Sequence, residues 1–180
     1  KVLEMTEDSV TVAEVSSFQL ETIMDFRPDV SAILNITPDH LNRHGTMENY
    51  IRIKECITLN QTEKDAVVLN YDDPVLREFG QDPELKPRVI WFSSREKLAD
   101  GFCMSGDNIV YCQKGRETIL VNVRDMKLLG RHNYENVMAA AAIGLEMGVA
   151  LADIGRVVES FNPVEHRIEF VRERTGVRYY

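Results

Sequence analysis

The run Ala66–Asn70 (A-V-V-L-N) is continuously apolar over the length of a strand, without the alternation that a sheet wetted on one face imposes. A strand covered on both faces marks a parallel sheet, and parallel strands need crossovers long enough to hold a helix. The neighbouring sequence supplies them. Ser31–Ile36 and Val89–Phe92 read as further strands. Before Ala66, Thr46 opens a helix in which Met47, Tyr50, Ile53 and Ile57 recur at helical spacing, with Lys54 at the edge of that stripe. After Asn70, Asp73-Pro74 opens another, since proline at the first helical position gives up no hydrogen bond.

Beyond Phe92 the pattern shortens. Phe102–Met104, Asn108–Tyr111 and Thr118–Val121 are short strands joined by Gly106-Asp107-Asn108 and Lys114-Gly115-Arg116, the pattern of an antiparallel meander. His132–Gly148 is an alanine-rich helix closed by Gly148, and Leu151–Phe161 is an amphipathic one with Ile154, Val157, Val158 and Phe161 on its buried side. Ile168–Arg174 and Val177–Tyr180 form a hairpin across Thr175-Gly176. Near the start, Val10–Val15 reads as a β-branched strand with Glu14 inside it, and Ser16 or Ser17 caps a short helix through Gln19–Asp25. The expected fold is α/β: a mostly parallel, doubly wound sheet flanked by helices, with a small antiparallel β meander at one edge. At 180 residues and 44% hydrophobic content the chain reads as one domain, 1–180.

Chemistry concentrates where the first of the parallel strands ends. Between Thr37 and Gly45 the chain turns, and a turn beyond the carboxyl end of a strand is where open α/β sheets place ligands. Asn35, Thr37, Asp39, His40 and His44 put polar or metal-capable side chains close together there. A carboxylate inside the apolar Val10–Val15 run needs a cation or a donor, so Glu14 and His40 are expected to share a divalent metal. His40 and His44, four apart, also allow zinc hydrolysis, but the residues between them lack helix-forming character and Gly45 follows at once. His44 then reads as a turn residue bonded to backbone.

Five motifs occur in order: E-V-S-S-F-Q-L-E (Glu14–Glu21), L-N-I-T-P-D-H (Leu34–His40), the lysine of Y-I-R-I-K (Tyr50–Lys54), G-R-H-N-Y-E-N (Gly130–Asn136) and E-H-R-I-E (Glu165–Glu169). Together they resemble the central ATP-binding domain of the Mur ligases, the amino-acid-adding enzymes of peptidoglycan synthesis. S-S-F-Q-L-E is similar to the branch that adds D-glutamate; the diaminopimelate and lysine adders usually carry S-S-H there. The resemblance implies an ATP-dependent ligase that phosphorylates the carboxylate of UDP-N-acetylmuramoyl-L-alanine and lets D-glutamate attack the acyl phosphate. It implies that Glu14 and His40 hold magnesium, that Lys54 is carbamylated and helps to place the ion, and that Lys54 and His40 are the catalytic pair. It further implies that Asn133, Asn136 and Arg167 orient ATP, and that Ser16 and Gln19 face the UDP-muramoyl substrate. The family's phosphate loop, G-T-N-G-K-[ST], and a later D-S-K-x-T-N segment do not occur in the chain, and Asn42 stands where the family commonly has aspartate. The chain is therefore expected to be a fragment, inactive alone. A sister ligase of the folylpolyglutamate type and a non-catalytic nucleotide-binding domain are the other readings.

A formal net charge of −8 argues against non-specific nucleic-acid binding, which needs clustered lysine and arginine. Cys56, Cys103 and Cys112 are odd in number and lack C-x-x-C spacing, as expected of reduced cytosolic thiols. No apolar run reaches the roughly 20 residues of a membrane span. The expected setting is the cytoplasm, as a monomer without membrane or nucleic-acid partners.

Overall fold

The computed structural model describes residues 4–6, 8–163 and 172–179. Six strands form one sheet in the same order in space as along the chain: β1 (Val30–Ile33), β2 (Ala66–Asn70), β3 (Arg88–Ser93), β4 (Gly101–Ser105), β5 (Asn108–Gln113) and β6 (Arg116–Asn122). β1 to β4 run parallel; β5 and β6 return antiparallel. The mixed sheet, mostly parallel with the antiparallel meander at one edge, is the one the sequence predicts. A separate hairpin pairs β7 (Arg172–Arg174) with β8 (Val177–Tyr179). The earlier part of that predicted hairpin, Ile168–Val171, lies outside the described residues.

Alternation along β2 explains its unbroken apolar run. Val67 and Leu69 pack with Val89 and Trp91 against the helices on one face, α3 (Met47–Glu55) and α4 (Pro74–Gly80). Val68 packs with Phe92 and Phe102 against the other pair, α5 (Arg131–Glu146) and α6 (Leu151–Ser160). Both faces of β2 are dry. Val67, Val68, Leu69, Phe92 and Phe102 are fully buried and contribute roughly 1.5–3 kcal/mol each, while Val89 and Trp91 are partly buried. The helix starts follow their predicted caps: Thr46 Oγ1 accepts from the Asn49 amide at 3.2 Å, and Asp73 Oδ1 accepts from the Val75 amide at 2.9 Å with Pro74 at the first position.

Where β3 passes to β4 the crossover carries no helix. The parallel ladder there joins Phe92 to Phe102 and Ser93 to Cys103. Gly101, at φ +118°, brings its backbone against the Trp91 carbonyl oxygen, an approach that a Cβ would block.

Three sequence readings are corrected. Val10–Val15 is extended but joins no ladder, because a β-branched run becomes a strand only where an edge accepts its hydrogen bonds, and a cavity separates it from β1. Glu14 is accordingly exposed rather than buried in an apolar stretch. The helix after Ser16 is a single turn, α1 (Ser17–Leu20), and does not reach Asp25. On α6 the packed stripe is Leu151, Ile154 and Val158, whereas Val157 and Phe161 are exposed. Gly155 draws that helix so close to β6 that a Cβ would stand 2.6 Å from the Leu120 carbonyl oxygen, and the narrow approach leaves the flanks in water.

Candidate functional site

The edge of β1, which pairs with no further strand among the described residues, borders a cavity of about 820 Å³ lined by the extended Ser9–Val15 segment, β1 itself and α5. Glu14, Asn35, Lys54 and Asn136 line it, with Ser17 at the start of α1. Residues far apart in the chain thus reach one space, because a strand end, the last turn of α3 and the first turns of α5 converge on it.

Lys54 lies on the rim of the buried stripe of α3. Its ammonium rests 5.5 Å from the centroid of the Tyr50 ring, and among the described residues it has no hydrogen-bond or ion-pair partner. Burial pushes its pKa down, because a desolvated ammonium loses more than a neutral amine; the negative charge of Asp39 pulls the other way. Glu14 is exposed and is likewise without a partner among the described residues. Asn136 is exposed on α5. Asn133 turns back on the helix start, where its Nδ2 donates to the Leu129 carbonyl at 2.7 Å.

His40 occupies the neighbouring turn and is not among the residues lining the cavity. It precedes a one-turn helix, α2 (Leu41–His44), in the left-handed conformation at φ 51°. A residue with a Cβ adopts that conformation at a cost of roughly 1–2 kcal/mol. Asp39 holds it there: Oδ1 accepts from the His40 amide at 2.8 Å, and Oδ2 stands 3.4 Å from Nε2. The His40 ring lies 4.9 Å from that of Phe18. Ser16 and Gln19 are engaged with each other in a capping box. The Ser16 amide donates to Gln19 Oε1 at 2.8 Å and the Ser16 hydroxyl accepts from the Gln19 amide at 3.4 Å. Arg167 lies outside the described residues.

The structure therefore brings Glu14, Lys54 and Asn136 to one cavity and leaves His40, Ser16, Gln19 and Asn133 beside it. Magnesium takes oxygen ligands, typically one or two carboxylates completed by phosphate oxygens and water. One carboxylate, Glu14, and a half-buried lysine that carbamylation would turn into an oxygen donor fit that requirement. No group of three His, Cys, Asp or Glu side chains converges among the described residues. The zinc arrangement weighed for His40 and His44 is not built, since His40 is exposed and His44 is turned into the interior.

His44 is the residue that sequence reading missed. Its side chain is fully buried, bonded to Ser17 on α1 and set opposite Glu21, not to backbone as a turn residue. One signal was available: Ser17 and Glu21 are four apart and share a side of the chain as it turns through α1.

A family profile described as the Mur ligase middle domain matches residues 1–144. UDP-N-acetylmuramoylalanine–D-glutamate ligase of Lachnoclostridium phytofermentans is 51% identical over 173 residues, 96% of this chain and 38% of that protein. The enzyme of the same name from Lachnospira eligens is 52% identical over 180 residues, 100% of this chain and 40% of the relative. The chain thus spans about two-fifths of the length of these relatives. Among solved structures, a UDP-N-acetylmuramoyl-L-alanyl-D-glutamate–2,6-diaminopimelate ligase superposes with a TM-score of 0.68 at 23% identity, over 89% of this chain and 34% of that one. The MurF ligase from Thermotoga maritima in complex with ADP gives 0.59 at 20%, over 84% and 34%. These structures share the fold described above, and with the profile covering most of its length the chain belongs to the Mur ligase middle domain family.

Proposed function

We propose that this chain is the ATP-binding domain of a cytoplasmic, monomeric ligase that joins D-glutamate to UDP-N-acetylmuramoyl-L-alanine. The observation that carries the reading is the identity of 51% and 52%, along almost the whole chain, to relatives bearing that ligase name. No described helix is long and apolar enough to cross a membrane. In the proposed reaction the γ-phosphoryl group of ATP passes to the alanyl carboxylate and ADP leaves. The amine of D-glutamate then attacks the acyl carbon, the amide bond forms, and phosphate departs with the bonding pair.

Within this chain Glu14, His40 and carbamylated Lys54 hold the magnesium site, while Asn133, Asn136 and Arg167 orient the nucleotide and Ser16 and Gln19 meet the UDP-muramoyl group. A bound magnesium ion supplies positive charge against the transferring phosphoryl oxygens. The lowered pKa of Lys54 favours the neutral amine that adds to carbon dioxide, releasing a proton and leaving an anionic carbamate oxygen on the cavity that Glu14 also lines.

In the complete ligase, phosphate release from ATP should depend on D-glutamate together with UDP-N-acetylmuramoyl-L-alanine. Release driven by a folate substrate instead would assign the sister class. Lys54→Ala should lower turnover by about 100-fold, the upper range for losing a group that positions a metal, with partial recovery in short carboxylates; full activity in that variant removes the carbamate. The 180 residues alone should turn over no ATP, and magnesium–ATP titration calorimetry on them measures what affinity remains.

A further inference from the structure

Buried histidine is uncommon unless both ring nitrogens are answered, and His44, with none of its side chain exposed, is buried between the two parts of the candidate site. Nε2 lies 3.0 Å from the hydroxyl of Ser17, where either atom can donate according to the ring tautomer. Nδ1 lies 3.1 Å from Glu21 Oε1 but off the line of a directed hydrogen bond, so that contact is electrostatic. Arg43 holds the other oxygen of Glu21 at 2.8 Å and keeps its carboxyl below the usual range, chiefly through that bond. The carboxylate thus stays charged opposite the ring.

Two aromatic rings flank the imidazole. Phe18 stacks at 5.5 Å and 17°, and Tyr50 lies 5.2 Å away, tilted by 35°. Phe18 also meets His40, and Tyr50 also carries the Lys54 ammonium. The polar partners Ser17 and Glu21 bracket Gln19, one half of the Ser16–Gln19 box. A single side chain therefore touches α1 through polar contacts and reaches both His40 and Lys54 through one ring each.

We infer that His44 is a positioning residue that sets the separation between the Ser16–Gln19 box at the start of α1 and the pair formed by His40, just before α2, and Lys54 on α3, and so governs affinity for the nucleotide-sugar substrate. The inference rests on the ligase reading above. A residue that merely stabilised the core would lower melting temperature and the active fraction without changing either Michaelis constant. A positioning residue moves one of them.

The test uses the complete ligase. His44→Phe keeps a ring between Phe18 and Tyr50 but deletes both polar contacts; Ser17→Ala deletes one contact from the opposite side with little change in volume. Each variant should raise KM for UDP-N-acetylmuramoyl-L-alanine by about tenfold, with KM for ATP within about twofold of wild type, the scale of one lost hydrogen bond. The double variant should be no worse than His44→Phe alone, because both remove the same contact. If His44→Phe does not fold, Ser17→Ala carries the same expectation. An unchanged KM for the nucleotide sugar in an active enzyme overturns the positioning role alone. Wild-type protein without D-glutamate-dependent phosphate release overturns the ligase reading, and this role with it.

Discussion

At the amino end of β1 and β2 the polar side chains answer one another bond for bond, whereas around the turn that follows β1 several are left open. Asp65, 3% exposed, takes both arms of Arg27 at 2.9 and 3.0 Å and the Thr62 amide at 2.6 Å. Gln61, 1% exposed, accepts from Ser31 and donates to the carbonyls of Pro28 and Ala66. Around the cavity and the turn beside it, among the described residues, Glu14 is unpaired, Lys54 has the Tyr50 ring but no hydrogen bond or ion pair, and His40 holds a left-handed backbone. The first arrangement fixes where two strands begin. The second leaves charge, a desolvated amine and local strain available to a ligand, which is how functional sites differ from structural ones.

The comparison is most exposed at Asp65. Asp65→Ala should cost about 3 kcal/mol in urea unfolding, the low end for breaking a buried ion pair, because the Arg27 side chain is 46% exposed and recovers some hydration. Acid probes the same contact. Hydrogen bonding from Arg27 holds the Asp65 carboxyl down to about 2, below its value in an unfolded chain. As pH falls the unfolded chain takes up that proton first, so the contribution of Asp65 is complete above about pH 5 and disappears as pH falls from about 4 towards 2. Urea midpoints of wild type and Asp65→Ala should accordingly draw together over that interval; parallel curves would place the pH dependence elsewhere. Thr46→Ala, which removes the cap of the helix carrying Lys54, should cost about 1 kcal/mol by the same measurement. Glu14→Gln should change stability by less than about 0.5 kcal/mol in either direction. A loss well above that would mean that the carboxyl end is also built for stability, and the contrast would fail.

What the residues alone disclose follows the range of the forces involved. Ala66–Asn70 declares a doubly covered strand, and Thr46 and Asp73-Pro74 declare helix starts, because those signals are local to a few positions. Val10–Val15 misleads because β-branching favours an extended chain but cannot provide the neighbour that would complete a ladder. The exposure of Val157 was hidden for a similar reason, since it depends on how closely Gly155 lets α6 approach Leu120. At the candidate site, the density of polar residues from Asn35 to His44 is visible in the sequence itself. That Lys54 and Asn136 share a cavity with Glu14 came only through family resemblance, because no periodicity links a helix edge to a distant helix start. For His44 the residues offer only the four-residue spacing of Ser17 and Glu21, and its burial is hidden because Phe18 and Tyr50 make it from separate elements.

The agreement between spatial and chain order from β1 to β6 bears on how the sheet is assembled. Among the described strands none has to be threaded between two that are already paired, so each can dock on its predecessor in that order. Partners in the β4–β5–β6 meander lie close in sequence, which keeps the entropy of each closure small and favours rapid pairing there, whereas the crossovers joining β1, β2 and β3 close longer loops. α5 and α6 follow the six strands along the chain and cover the second face once the sheet has formed.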